Sequence, residues 1–404
     1  MERTRARALD FPSVTPPEDD ELAALLARLR FTEEQLRTAQ LEGDVTGRLM
    51  RESAELQDQV RRFSLGTSAA SAPVSRAALT ERVLSKLDGR CLVELAVDGG
   101  DLHAVVLRGD RVVHRRLGGL ETVSKALDDL RFALKRLARP GGSAASRASA
   151  RLVADDAVAS LDRAVVPDGL RTNPPDEVII VPPAELFPVP WAMLPTFAHR
   201  LVTVAPAARL WLDRLDVPRR VGGVVIVGGT GLPGAAGESL RIARLYGDVV
   251  RFTAKTSKVE RVLGALDGAA IAHFVAHGSF RSDNPLFSSL QLADGGLTVY
   301  DLARVKRLPP VIVLSACNAG IVATRPGNET MGIVAGLLGA GVRTVIASTG
   351  LVPDTALTAR AMVGFHRRLL GGMSPAEALA EVQTKAMARS DGFAAGSFVC
   401  FGAG

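Results

Sequence analysis

Two short stretches, HFVAHG at residues 273–278 and VIVLSACNAG at residues 311–320, carry the clearest structural signal in this sequence. Each overlaps a predicted strand, at residues 270–277 and 310–317, whose last residue has acid–base or nucleophilic chemistry. Similar apolar runs alternate with amphipathic helical patterns along residues 220–404; they lie at 221–229, 248–252, 343–349 and 397–401. Continuous apolar strands alternating with helices indicate a mostly parallel, doubly wound α/β sheet.

His277 and Cys317 stand where two of these predicted strands end. In doubly wound sheets, functional groups collect at the carboxyl ends of the strands. Forty residues separate the two side chains, which is enough for a right-handed crossover between neighbouring parallel strands about 4.8 Å apart. A thiolate is a nucleophile, and a nearby imidazole sets its protonation and can protonate a leaving amine. The alternative is that Cys317 is a small buried hydrophobe, which is the commoner role of a lone strand-end cysteine.

A glycine-rich loop, GGTGLPG at residues 228–234, follows the first strand of this region and contains the pattern GxGxxG. A dinucleotide site needs a helix N-terminus directly under the pyrophosphate and an acid at the end of the second strand. Pro233 interrupts the turn, and residues 251–255, RFTAK, supply no acid. We therefore expect a loop that lines the cleft and binds no nucleotide.

The other histidines and cysteines give weaker signals. His273 is expected to be a core histidine, and Cys91 and Cys400 fall inside predicted strands as packing residues. No partner at useful spacing is apparent for the remaining histidines: His103, His114, His199 and His366. No cluster of ligands predicts a metal site, and no cofactor is expected.

Upstream of residue 220 the pattern predicts three further parts. Residues 18–64 carry leucines at helical spacing, interrupted near Gly43, and indicate two helices or one broken helix. Residues 65–78 are small and polar, as in a linker. Residues 79–219 mix short alternating strands with helices and form a smaller α/β companion to the segment 220–404.

Composition excludes several classes of protein. With 404 residues and 47% hydrophobic content, the chain can bury a full core, and its three cysteines cannot form a disulfide framework. The net charge of +6 comes from 42 dispersed arginines and seven lysines, with only 4% aromatics, so a nucleic-acid surface is not expected. No apolar run reaches membrane-helix length and no signal peptide is recognisable, which predicts a cytoplasmic protein without membrane contact.

Beyond the two strand ends, several longer segments are similar to the CHAT-domain family, caspase-like cysteine peptidases of bacteria that are often fused to tetratricopeptide repeats. The resemblance rests on HFVAHG (273–278) and VLSACNAG (313–320) together with five other segments, at residues 178–194, 232–239, 285–295, 328–348 and 352–383. It covers roughly residues 90–404 and implies a caspase-like fold. This sequence departs from the family at Gly350, where many relatives carry Trp, and in its short N-terminal helical segment.

The resemblance implies a role for each matching residue. Cys317 would be the nucleophile, His277 the general acid and base, and the N–H groups of Gly278 and Cys317 the oxyanion donors. Asp354 and Glu329 match acidic positions, where each would either face a basic substrate side chain or cap a helix.

Two functions follow as hypotheses. The first is a cysteine endopeptidase that cleaves a specific protein partner, and the alternative is a catalytically silent caspase-like interaction module. The apolar stripe of residues 18–64 cannot be buried by one or two short helices alone. We expect this segment to dock on the catalytic body or on a regulatory protein, either as a switch or as a simple packing or dimerisation arm.

Overall fold

A computed structural model of the chain describes residues 20–42, 46–65, 76–138, 141–279, 288–315, 328–349, 356–388 and 392–404. Its strands are β1 (Cys91–Asp98), β2 (Asp101–Arg108), β3 (Arg111–Gly119), β4 (Glu177–Val181), β5 (Leu201–Val204), β6 (Val224–Gly228), β7 (Val249–Phe252), β8 (Ile271–Val275), β9 (Gly278–Ser279), β10 (Ser289–Leu292), β11 (Gly295–Thr298), β12 (Val311–Ser315), β13 (Thr344–Ser348) and β14 (Phe398–Gly402). Eleven of them form one sheet in the order β3-β2-β1-β4-β5-β14-β13-β12-β8-β6-β7.

Most neighbours in this sheet are parallel, as the alternation of apolar strands and helices predicts. The pairs β13–β12, β12–β8, β8–β6 and β6–β7 are all parallel. The hairpin β1–β2–β3 is antiparallel, and β14 runs antiparallel to β13 but parallel to β5. The predicted α/β class with a large, mostly parallel sheet is confirmed.

Helices cover both faces of the sheet because the strands are buried on both sides. They are α1 (Asp20–Glu42), α2 (Gly47–Leu65), α3 (Arg76–Lys86), α4 (Leu120–Ala138), α5 (Ala144–Val165), α6 (Asp168–Thr172), α7 (Ala208–Leu215), α8 (Ala235–Ala243), α9 (Val259–Leu266), α10 (Val299–Ala303), α11 (Asn328–Gly339), α12 (Ala356–Leu370), α13 (Pro375–Met387) and α14 (Gly392–Gly396). One face packs against α4, α5, α9 and α11, whereas the other packs against α3 and α7 at one end and α8, α12 and α13 at the other.

The crossover between β8 and β12 contains structure that the sequence analysis did not predict. The strands β9, β10 and β11 form a small antiparallel sheet in the order β11-β10-β9. Helix α10 follows β11 directly and begins with a capping box formed by Thr298 and Asp301. Its first strand, β9, begins at Gly278, shortly after β8 ends at Val275.

The N-terminal helices α1 and α2 lie on the body of the protein beside this small sheet. Leucines of α1 and α2 share one apolar cluster with Tyr300 of α10. Arg30 Nη1 donates to Asp301 Oδ1 at 2.5 Å, and the Asp301 side chain is completely buried. Of the two docking surfaces expected for this segment, the structure shows contact with the body of the protein. None of the helices in the described ranges is long and apolar enough to cross a membrane.

Candidate active site

His277 lies just past the carboxyl end of β8, between two neighbouring strands. Val275 of β8 pairs with Ser315 of β12 on one side and with Gly228 of β6 on the other. The carboxyl ends of these three strands therefore meet at one edge of the sheet. The His277 side chain is half-buried there.

The glycine-rich loop forms one wall around His277. His277 Nε2 lies 3.3 Å from the carbonyl oxygen of Gly231, whose φ of +76° lies in the region that favours glycine. A Cβ at Gly231 would also lie 3.4 Å from the imidazole ring. The neighbouring Gly229 donates its N–H to the carbonyl of Val275 at 2.8 Å. The loop is thus bonded to β8 and contacts the histidine.

The small antiparallel sheet holds the backbone of His277 from the other side. Gln291 N–H donates to the carbonyl of His277 at 2.8 Å, and the register places Leu290 opposite Gly278. Hydrogen-bonded and non-hydrogen-bonded pairs alternate along an antiparallel ladder. Gly278 therefore occupies a non-hydrogen-bonded position, and its N–H points away from β10 at the edge of the small sheet.

Other predicted site residues lie outside the part of the chain that the structure describes. Cys317 and Asp354 lie outside the described residues. Glu329 belongs to α11, and its side chain is also outside the described part. Of the predicted residues, the structure therefore brings together His277, Gly278 and the glycine loop.

Ser315 ends β12, two positions before Cys317, and is completely buried. Within the described residues its hydroxyl oxygen has no hydrogen-bond partner. Sequence reasoning gave no reason to single out this serine. Its hydroxyl lies where β12 runs toward the predicted nucleophile.

The two cysteines inside strands are inert in this structure. Cys91 and Cys400 are both completely buried. Burial raises the pKa of Cys91 to about 11 and the pKa of Cys400 to about 12. At neutral pH neither thiol supplies a useful fraction of thiolate, which agrees with the predicted packing role.

The expectation that four histidines lack partners is wrong. His366 bonds His273 in the core, with 3.0 Å between His366 Nε2 and His273 Nδ1. At the surface, His103 Nδ1 lies 3.1 Å from His114 Nε2, and His199 Nδ1 lies 3.2 Å from Thr384 Oγ1. Two of these pairs join residues 93 and 185 positions apart, so only the folded topology reveals them. The expectation that His273 is a bonded core histidine is correct.

A cavity of about 270 Å³ lies at the opposite, amino-terminal edge of the sheet. Three arginines line it, Arg90, Arg219 and Arg343. It contains no residue of the His277 edge and is not part of the candidate site. In the described ranges, no three His, Cys, Asp or Glu side chains converge as they would around a metal ion.

Comparison with known proteins now identifies the family. The model of the CHAT domain matches residues 147–395. The chain belongs to the CHAT-domain family. The resemblance seen in the motifs is therefore confirmed, and the CHAT match includes both His277 and Cys317. No curated protein sequence matches the chain.

Solved structures confirm the caspase-like fold. Two structures of the Saccharomyces cerevisiae separase–securin complex, at 2.6 and 3.0 Å resolution, superpose with TM-scores of 0.58 and 0.60. The identity is 11% in both cases, and the matches cover 85% and 94% of this chain. The chain spans only about a third of the length of those chains, 31% and 32%. Family and fold together define the chain as a caspase-like peptidase or a related module.

Proposed function

We propose that this CHAT-domain protein is a cysteine endopeptidase in which His277 and Cys317 form the catalytic dyad. The observation that carries the proposal is the pairing of Val275 with Ser315 on adjacent parallel strands. His277 and Cys317 each follow their member of this pair by two residues. Equal offsets from a paired position favour the approach of both residues at the same edge of the sheet.

The contact with Gly231 indicates which nitrogen of the His277 imidazole carries the hydrogen. A carbonyl oxygen only accepts hydrogen bonds, so in the neutral ring Nε2 carries the hydrogen that faces Gly231. Nδ1 is then the basic nitrogen. It is available to take the proton of the Cys317 thiol.

The reaction proceeds in two halves. The Cys317 sulfur attacks the scissile carbonyl carbon as its proton passes to His277, and the N–H groups of Gly278 and Cys317 stabilise the oxyanion. The C–N bond breaks as His277 returns the proton to the leaving amine, which leaves a thioester on Cys317. Water, deprotonated by His277, then hydrolyses the thioester and restores the thiol.

The substrate in this proposal is a protein, and control comes from a second protein. The similar separase is described in complex with securin, which supports a protein as the partner class. The docked helices α1 and α2 offer a surface for a regulatory protein. Asp354 and Glu329 are proposed to face a basic substrate side chain, with helix capping as the alternative role.

The test combines cleavage with thiol labelling. Cys317→Ala should abolish cleavage of a peptide library while changing the free energy of unfolding by less than about 1 kcal/mol. An alkylating reagent near pH 7 should modify Cys317 first, since burial protects the two internal controls, Cys91 and Cys400. Undiminished cleavage by the Cys317→Ala variant, with contaminating proteases excluded, contradicts the proposal. A rapidly labelled Cys317 without any cleavage would favour the silent interaction module.

A further inference from the structure

Three buried polar side chains and one partly buried tyrosine form a hydrogen-bonded chain next to the candidate site. Glu238 Oε1 lies 3.0 Å from His273 Nε2, His273 Nδ1 lies 3.0 Å from His366 Nε2, and His366 Nδ1 lies 2.7 Å from the Tyr246 hydroxyl. Glu238 is 3% exposed, and both histidines are 0% exposed. The dyad chemistry described above uses none of these groups.

The hydrogens of this chain have one consistent direction. Burial raises the pKa of Tyr246, and burial together with neighbouring His273 lowers the pKa of His366 well below its ordinary value. The tyrosine therefore keeps its proton and His366 is neutral. The Tyr246 hydroxyl then donates to His366 Nδ1, His366 Nε2–H donates to His273 Nδ1, and His273 Nε2–H donates to the Glu238 carboxylate. Each link supplies one donor and one acceptor.

The chain joins three separate elements at a defined place. Glu238 belongs to α8, His273 to β8 and His366 to α12. Buried polar groups are costly unless they are paired, so an alternative orientation of α8 that breaks these bonds is disfavoured. An apolar contact would let α8 slide along the strand, whereas these hydrogen bonds favour one position of α8 on β8.

The position of α8 controls the glycine loop, because the loop runs directly into this helix. Leu232 of the loop and Ala235 of α8 pack on Val275. The Gly229 N–H bonds the carbonyl of Val275, and the Gly231 carbonyl faces His277. From Glu238 to Gly231, these contacts follow β8 in order toward its carboxyl end.

We propose that Glu238 and His273 are positioning residues that fix α8 and the glycine loop on β8 and thereby hold the Gly231 carbonyl against His277. His366 and Tyr246 orient the imidazole of His273 for this task. The inference rests on the proposed function only in treating His277 as the catalytic acid and base. The arrangement itself can be tested without any substrate.

The experiment observes His277 by NMR in the full-length protein with ¹³C-labelled histidine. The chain has six histidines, and the spectrum of His277→Ala assigns the resonance. Glu238→Leu removes the acceptor, Glu238→Gln retains one acceptor oxygen, and Leu240→Gln alters an exposed position of the same helix as the control.

In Glu238→Leu the His277 resonance should move, because the imidazole ring loses the Gly231 carbonyl as its acceptor. Glu238→Gln should restore most of the wild-type resonance position, and Leu240→Gln should match the wild type. If Glu238→Leu does not fold, Glu238→Asp decides, since it keeps the charge but withdraws the carboxylate by one bond.

A folded variant without the Glu238–His273 bond and with an unchanged His277 resonance overturns the inference. Peptide cleavage is measured on the same samples. If the His277 resonance of Glu238→Leu stays at its wild-type position and cleavage is normal, the positioning role is refuted and the proposed function is not. The expected shift in a protein that never cleaves refutes the proposed function and leaves the positioning role standing.

Discussion

Gly229→Ala offers the sharpest test of how tightly the glycine loop is packed against the strand that carries His277. Gly229 is buried, and its N–H is bonded to Val275. A Cβ at this position would lie 2.6 Å from Ala276 Cβ and 2.6 Å from the carbonyl oxygen of Gln291. Both neighbours flank His277: Ala276 precedes it in the chain, and Gln291 bonds its carbonyl.

The size of the effect follows from these distances. Carbon atoms in good contact lie about 3.5–4.0 Å apart, so the loop or its neighbours must move by about 1 Å. Overpacking of this kind costs about 1–3 kcal/mol, which lowers the folded-to-unfolded ratio roughly 5- to 150-fold. The Gln291 contact is to a backbone atom, which cannot rotate away, so we expect the upper half of this range.

Urea denaturation measures the loss, with the fluorescence of the two buried tryptophans, Trp191 and Trp211, as the signal. Gly247→Ala is the matched control, because a Cβ there meets nothing within 4 Å. The midpoint should fall in Gly229→Ala and stay unchanged in Gly247→Ala. If both variants keep the wild-type midpoint, the close packing of this loop against β8 is refuted.

Three further changes probe the site, the core and the docked helices. Gly231→Ala should lower the free energy of unfolding by about 1–2 kcal/mol, since the φ of Gly231 is +76°. It should also slow peptide cleavage, because the new Cβ contacts His277; normal stability and kinetics would contradict this. Burial lowers the pKa of His366, so the unfolded chain binds the extra proton and stability should fall as the pH drops below about 6.5, by up to about 1.4 kcal/mol per pH unit. His366→Gln should flatten that slope in urea titrations between pH 6.5 and 5, and an unchanged slope would refute the assignment. Arg30→Gln removes the nearer of the two arginines paired with the buried Asp301, since Arg304 lies 4.0 Å away. The change should lower the free energy of unfolding by about 1–3 kcal/mol and speed hydrogen exchange in α1; unchanged exchange would contradict the docking.

The strands around the candidate site were predictable because each is a continuous apolar run. The observed β8 and β12, Ile271–Val275 and Val311–Ser315, lie within the predicted runs. Burial on both faces of a parallel sheet requires such sequences, so the pattern and the structure share one cause. The same argument placed His277 at a strand end.

The small sheet beside His277 could not be predicted in this way. Its strands β10 and β11 are only four residues long, and β11 contains two glycines, so neither forms a recognisable apolar run. Hydrogen bonds between residues distant in sequence could not be predicted for a related reason. Glu238 lies 35 residues from His273, and His366 lies 93 residues from it, so their contact depends on the order of the strands and the faces on which the helices pack.

Among the described residues, the hydrogen bonds of His277 are made with backbone groups, and this determines how a partner could influence it. Its ring faces the Gly231 carbonyl, and its own carbonyl accepts from the Gln291 N–H of β10. Strand β10 pairs with β11, whose Gly295 lies against Arg30 of the docked helix α1. Through these described contacts, a protein that displaces α1 changes His277 by moving this ladder, because a ligand acts through its different affinity for two states. Control through the N-terminal helices therefore requires faster hydrogen exchange at the Gln291 amide when α1 is released, and protection there that does not change would limit these helices to a packing role.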